Sequence, residues 1–141
     1  MYEIMNLSLL LYFNDLAEIL TTLYLLRSSP ALEELDVTVR HKEQEIAVDE
    51  EANSWLDNLD DDINCSFPKL RLVEITHFSG CKAELDFIRL LLLNSPVLET
   101  MTIRGLSEHG SSEVLKKLLQ LRRTSSAEII YLDPLALRKS D

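Results

Sequence analysis

Glycine, cysteine and basic charge are all scarce in this chain. Its 141 residues include three glycines, Gly80, Gly105 and Gly110. That leaves no glycine-rich loop able to cradle phosphates and no Gly-x-Ser-x-Gly elbow. The two cysteines, Cys65 and Cys81, form neither a disulfide framework nor a Cys-x-x-Cys pair, so reduced thiols are expected. Lys and Arg number 14 against 24 Asp and Glu, a formal net charge of −10. A chain this acidic repels the phosphates of nucleic acid and of anionic membranes, and neither is expected as a partner. Long apolar runs are missing too. Glu3 precedes the short run Leu7 to Phe13 where a signal peptide would be basic, and Leu90 to Leu93 is far too short to span a bilayer. A soluble protein of the cytoplasm or nucleus is the expectation.

What is present is unevenly placed. Residues 43–62 hold nine acidic side chains and no Lys or Arg, so the rest of the chain sums to −1. The acidity belongs to one arm. Apolar residues make up 46% of the chain, enough to fill a core in one domain of this length.

The apolar residues recur in register. Leu25 to Val37 (LLRSSPALEELDV) matches Leu91 to Ile103 (LLLNSPVLETMTI) at an offset of 66, and Phe67 to Ile75 (FPKLRLVEI) lies between them. The shared spacing is Ile4-x-x-Leu7-x-Leu9, Leu32-x-x-Leu35-x-Val37, Leu70-x-x-Val73-x-Ile75 and Leu98-x-x-Met101-x-Ile103, preceded by Pro30, Pro68 and Pro96 in the last three. Starts are 28, 38 and 28 residues apart, and the long interval contains the acidic arm. Residues 40–66 therefore read as an acidic insertion. This spacing at this period is that of leucine-rich repeats, in which each unit supplies one strand and one crossover helix.

Helices fit between the strands. Asp15-x-x-Glu18 resembles a capping box ahead of the stripe Leu16, Ile19, Leu20, Leu23 and Leu26. Leu85, Ile88, Leu91 and Leu92 form a second stripe, with Glu84 and Asp86 at the end of the helix that favours anions. A third is expected from Ser112, burying Val114, Leu115, Leu118, Leu119 and Leu121. The spacing predicts strands at 4–9, 32–39, 70–76, 98–104 and 128–132 and helices at 15–27, 83–93 and 112–123. The fold class is thus α/β: a short leucine-rich-repeat-like solenoid of alternating strands and helices with a parallel sheet. A compact α/β domain without a superhelix is the alternative. Within the arm, Val39 to Glu45 is expected to be mobile and Asp49 to Leu59 to form a short helix docked by Trp55, Leu56 and Leu59.

Catalytic and metal chemistry were sought and are not expected. His77, Cys81 and Cys65 lack the fourth ligand of structural zinc. Asp60, Asp62 and Asn64 alternate as in a calcium loop, but Cys65 and Arg71 stand where that loop requires Gly and Glu. His41 and His109 have no nucleophile with an orienting acid. No cofactor is implied, and no enzyme activity is expected. Positions between the repeat leucines face away from the core. Glu34, Asp36, Leu72, Glu74, Thr100, Thr102 and Arg104 therefore form the candidate partner-binding face.

The ordered blocks LLRSSPALEEL, KLRLVEI, KAELDFIRLLLLNSPVLETMTI, VLKKLLQLRR and SAEIIYLDP resemble the C-terminal half of plant F-box/LRR-repeat proteins that end in an FBD domain. The resemblance covers nearly the whole chain, 1–141, as a single LRR/FBD-like domain. It implies a protein-interaction module, the substrate-recognition part of an F-box ubiquitin-ligase receptor, with an unknown protein or ubiquitination substrate as partner. A Skp-type adaptor is implied only if an F-box lies upstream, because this chain begins within the repeats. A truncated relative without ligase function and a small-ligand-binding repeat receptor are the alternatives.

Overall fold

The computed structural model describes residues 5–13, 15–40, 66–105, 116–121 and 126–132. The elements are β1 (Asn6–Tyr12), α1 (Leu16–Arg27), β2 (Glu34–Arg40), β3 (Leu72–Phe78), α2 (Lys82–Asn94), β4 (Thr100–Gly105) and β5 (Glu128–Leu132), with a helical turn at 116–119 before β5. The five strands form one sheet in the order β1-β2-β3-β4-β5, every neighbouring pair parallel. The fold is α/β, and its strands lie side by side in chain order.

Three of the strands are entered in the same way. Leu32 N–H donates to the Ser29 carbonyl at 3.1 Å, Leu70 to Phe67 at 3.4 Å and Leu98 to Ser95 at 3.2 Å. Pro30, Pro68 and Pro96 occupy the second position of these turns, where a fixed φ near −65° is preferred. The leucine closing each turn is buried. It anchors the turn, and strand pairing starts two residues later than the leucine spacing suggests, at Glu34, Leu72 and Thr100. At the other end β2 runs through Val39 and Arg40, and Val39 is buried in the strand instead of opening a mobile arm. The docked helix expected around Trp55 lies outside the described residues.

Two glutamates start the two helices. In α1 the Asp15 carboxylate accepts from Glu18 N–H at 3.3 Å, the first half of the expected capping box. Glu18 Oε1, however, accepts from Tyr12 N–H at 3.3 Å while Asp15 N–H donates to the Tyr12 carbonyl at 3.2 Å, so the return bond ties the helix start to the end of β1. At the start of α2 the N-cap residue, Cys81, gives no side-chain cap to the backbone. Glu84 instead reaches back to accept from Ser79 N–H at 2.8 Å and from the Ser79 hydroxyl. Glu84 is therefore buried, where a position near the helix start alone does not require it. At the other end of α1, Ser28 and Ser29 hydroxyls donate to the Tyr24 and Leu25 carbonyls, and in α2 the Asn94 amide donates to the Leu90 carbonyl.

One side of the sheet is packed. Leu35, Val37 and Val39 of β2, Val73 and Ile75 of β3, and Met101 and Ile103 of β4 join Ile19, Leu23 and Leu26 of α1 and Phe87, Ile88 and Leu91 of α2 in a single buried cluster. Phe13, just after β1, meets Phe87 edge-on with ring centroids 5.3 Å apart and planes at 65°. This geometry suits the ring quadrupoles. In the helical turn before β5, Leu118 is buried but Leu119 is exposed, contrary to the expected stripe. Adjacent residues on a helix point about 100° apart, so seating Leu118 leaves Leu119 on the flank.

Phe87→Ala is expected to cost about 3–5 kcal/mol in urea unfolding, whereas Leu10→Ala, at a side chain 64% exposed, should stay within ~0.5 kcal/mol. The buried Ser95 hydroxyl has no hydrogen-bond partner among the described residues. Ser95→Ala is thus expected to be neutral or to stabilise by up to ~1 kcal/mol in the same assay.

Candidate functional site

The face of the sheet opposite the helices is uncovered among the described residues. Strand pairing sets its side chains in rows: Asn6, Glu34, Leu72, Thr100 and Glu128 in one, Ser8, Asp36, Glu74, Thr102 and Ile130 in the next, then Leu10, Thr38, Thr76, Arg104 and Leu132. The structure brings together all seven positions selected from the repeat spacing. Arg104 Nε donates to Glu74 Oε1 at 2.9 Å across the β3–β4 step.

Reading only the interior repeats missed Asn6 and Ser8. Both belong to β1 and line, with Glu34, Asp36, Leu72 and Glu74, a shallow depression of about 340 Å³ that opens to solvent. Their signal was available in the first repeat, Ile4-x-x-Leu7-x-Leu9, whose intervening positions stand in the same rows.

Electrostatics differ across the face. The Asp36 carboxyl is held above its ordinary value of 3.8, first by partial burial and then by the Glu74 carboxylate beside it. Glu74 has Arg104 as counter-ion, while Asp36 has no ion-pair partner among the described residues. At the rim where the strands begin, Arg71 bridges Glu33 at 3.3 Å and Glu99 at 3.2 Å. Exposed pairs of this kind add little stability, but they tie three successive strand entries into one charged edge.

A second polar cluster sits where β3 turns into α2. His77 has φ 64 and Gly80 φ 87, and the β3–β4 pairing shifts register between Thr76 and Phe78. His77 is therefore the extra residue of a β-bulge. The Cys81 Sγ donates to Glu84 Oε2 at 2.9 Å. Burial of the sulphur, reinforced by that carboxylate, pushes the thiol up to about 12. A thiol this basic is a poor nucleophile and a poor metal ligand. Among the described residues no three His, Cys, Asp or Glu side chains converge as a metal site. Asp60, Asp62, Asn64, Cys65, His41 and His109 lie outside the described residues. No helix among the described residues is long and apolar enough to cross a membrane.

The described residues thus form a one-sided parallel sheet with an exposed, largely polar face. Residues 62–103, which include β3, α2 and most of β4, match the FBD family. Over 123 residues the chain is 37% identical to the F-box/FBD/LRR-repeat protein At1g13570 of Arabidopsis thaliana. That alignment covers 85% of this chain and 29% of the relative, so the chain spans less than a third of the relative's length. The chain is a member of the plant F-box/FBD/LRR-repeat family over the part these matches cover. No solved structure matches it.

One measurement probes the open face and another the β3–α2 corner. The native Asp36 carboxyl keeps its proton to higher pH than the unfolded chain. Its contribution therefore favours the fold below 3.8 and is lost as pH rises through the native value. Asp36→Asn is expected to raise stability at pH 7 by ~0.5 kcal/mol at most, given solvent screening, and to change nothing below pH 3.8. The Cys81 thiol should alkylate with iodoacetamide at pH 8 about a hundredfold more slowly in the native than in the unfolded chain, followed by peptide mass mapping.

Proposed function

We propose that this chain is a protein-recognition module, the part of an F-box type ubiquitin-ligase receptor that holds the substrate, with no chemistry of its own. The observation carrying this reading is the open face of the sheet, on which Glu34, Asp36, Leu72, Glu74, Thr100, Thr102 and Arg104 stand in adjacent rows. Parallel sheets are ordinarily covered on both faces. A parallel sheet with one bare face is what stacked strand–helix repeats present to their partners.

The leucine-rich-repeat solenoid belongs to the same reading. Its support is the chain-order sheet, the recurring proline turn and the spacing of 28, 38 and 28 residues between equivalent leucines. So does the single-domain extent, with residues 40–66 as an acidic insertion. A small-ligand receptor fits less well. The depression is open and part polar, whereas ligand pockets enclose most of the ligand in an apolar lining. Within the family name, the F-box would supply the adaptor contact and the repeats the substrate contact. This chain alone is then expected to bind a substrate protein without a Skp-type adaptor.

Affinity purification from plant tissue, comparing the chain with a Glu34→Lys/Asp36→Lys/Glu74→Lys variant of matched circular dichroism, tests this. The expected result is a reproducible protein partner captured by the native chain and lost by the variant, with no Skp-type adaptor in either. Identical captures would overturn the assignment to this face.

A further inference from the structure

The open face is not uniform, and the depression on it has a distinct chemistry. In the depression Leu72, an exposed leucine, is bordered by Glu34 in its own row and by Glu74 and Asp36 in the next. Paired strands lie about 4.8 Å apart and successive outward residues about 6.6 Å, so the three carboxylates ring a single apolar spot. Outside the depression Glu33 and Glu99 are matched by Arg71 and Asp86 by Lys82, and within it Glu74 is matched by Arg104. Glu34 and Asp36 have no cation within reach among the described residues. When the Asn6 amide is turned to satisfy its neighbours, its nitrogen donates to Glu34 Oε2 at 2.7 Å, which fixes the carboxylate at the wall of the depression.

Resting on the recognition reading above, we propose that this depression receives a lysine or arginine side chain of the partner protein, its aliphatic stem on Leu72 and its charged head between Glu34 and Asp36. Long basic side chains bury their stems on apolar surface while the head keeps polar company. A bare carboxylate pair beside an exposed leucine offers both in one place. A cation there also relieves the repulsion between Asp36 and Glu74. An acidic or wholly apolar side chain finds no complement at this spot. Glu74 is already paired with Arg104, which leaves the carboxylates of β2, Glu34 and Asp36, for the incoming head.

The test is an NMR titration of the full chain with two synthetic peptides, one of repeating Gly-Ser-Lys and one of repeating Gly-Ser-Glu. At about 0.15 M salt the lysine peptide is expected to shift the amides of Glu34 to Asp36 and Leu72 to Glu74, and the glutamate peptide to shift none. Glu34→Gln/Asp36→Asn should weaken the lysine peptide about tenfold, and Leu72→Ser should weaken it with the charges intact. Shifts confined to residues 43–62, or equal affinity in the double carboxylate variant, would overturn the pocket. If that happens while the lysine triple variant above still loses its partner, the recognition face stands and only the basic-side-chain assignment fails.

Discussion

Strand register is the constraint on which everything else in this molecule rests. The carbonyls of Met5, Glu33 and Arg71 each accept from two consecutive N–H groups of the next strand, Glu33 and Glu34, Arg71 and Leu72, and Glu99 and Thr100, at 2.8–3.2 Å. Glu99 carries the pattern on to Glu128 at 3.0 Å. Because side chains alternate with period two, a slip of one residue would turn Leu35, Val37, Val73 and Ile75 to solvent and drive Glu34, Asp36 and Glu74 toward the helices. Burying those carboxylates without partners is prohibitively costly. Core and candidate surface are thus two outcomes of one hydrogen-bond pattern.

The one-sided burial follows from the sequence of each strand. Where both faces are covered, parallel strands read as continuous apolar runs. Here β2 is Glu-Leu-Asp-Val-Thr-Val-Arg and β4 is Thr-Met-Thr-Ile-Arg-Gly, alternating strictly until the last residue. A helix could not pack on Glu34, Asp36, Thr100 and Thr102 without stranding polar groups. The face is therefore left to solvent, and under the proposed recognition role it suits a partner with polar groups of its own.

Much of this arrangement was legible in the residues. The leucine spacing located the first four strands to within three residues, because a buried row leaves a period-two signature. It read the closing leucine of each proline turn as strand, since burial looks the same whether a residue is anchored in a turn or paired in a sheet. Asp15 and Glu18 announced the cap of α1, while the burial of Glu84 was hidden because its donors, Ser79 and Cys81, come from a bulged corner. The seven face positions follow from alternation alone. The depression does not, because it depends on which side chains of β1 stand beside Glu34 and Asp36, a matter of pairing partners and not of any one strand.

The interval from the repeat leucine of β2 to that of β3 is ten residues longer than its neighbours, yet the entry to β3 is unchanged: Arg71 N–H meets the Glu33 carbonyl at 2.8 Å, as Glu99 meets Arg71. In a flexible chain, lengthening a closed segment from 28 to 38 residues adds only about 0.3 kcal/mol of closure entropy. The place of β3 in the sheet is consequently set where the strand begins, by its pairing with Glu33, and not by how many residues precede it. Spacing of the rows is a property of the strand entries, whatever the length of the chain between them.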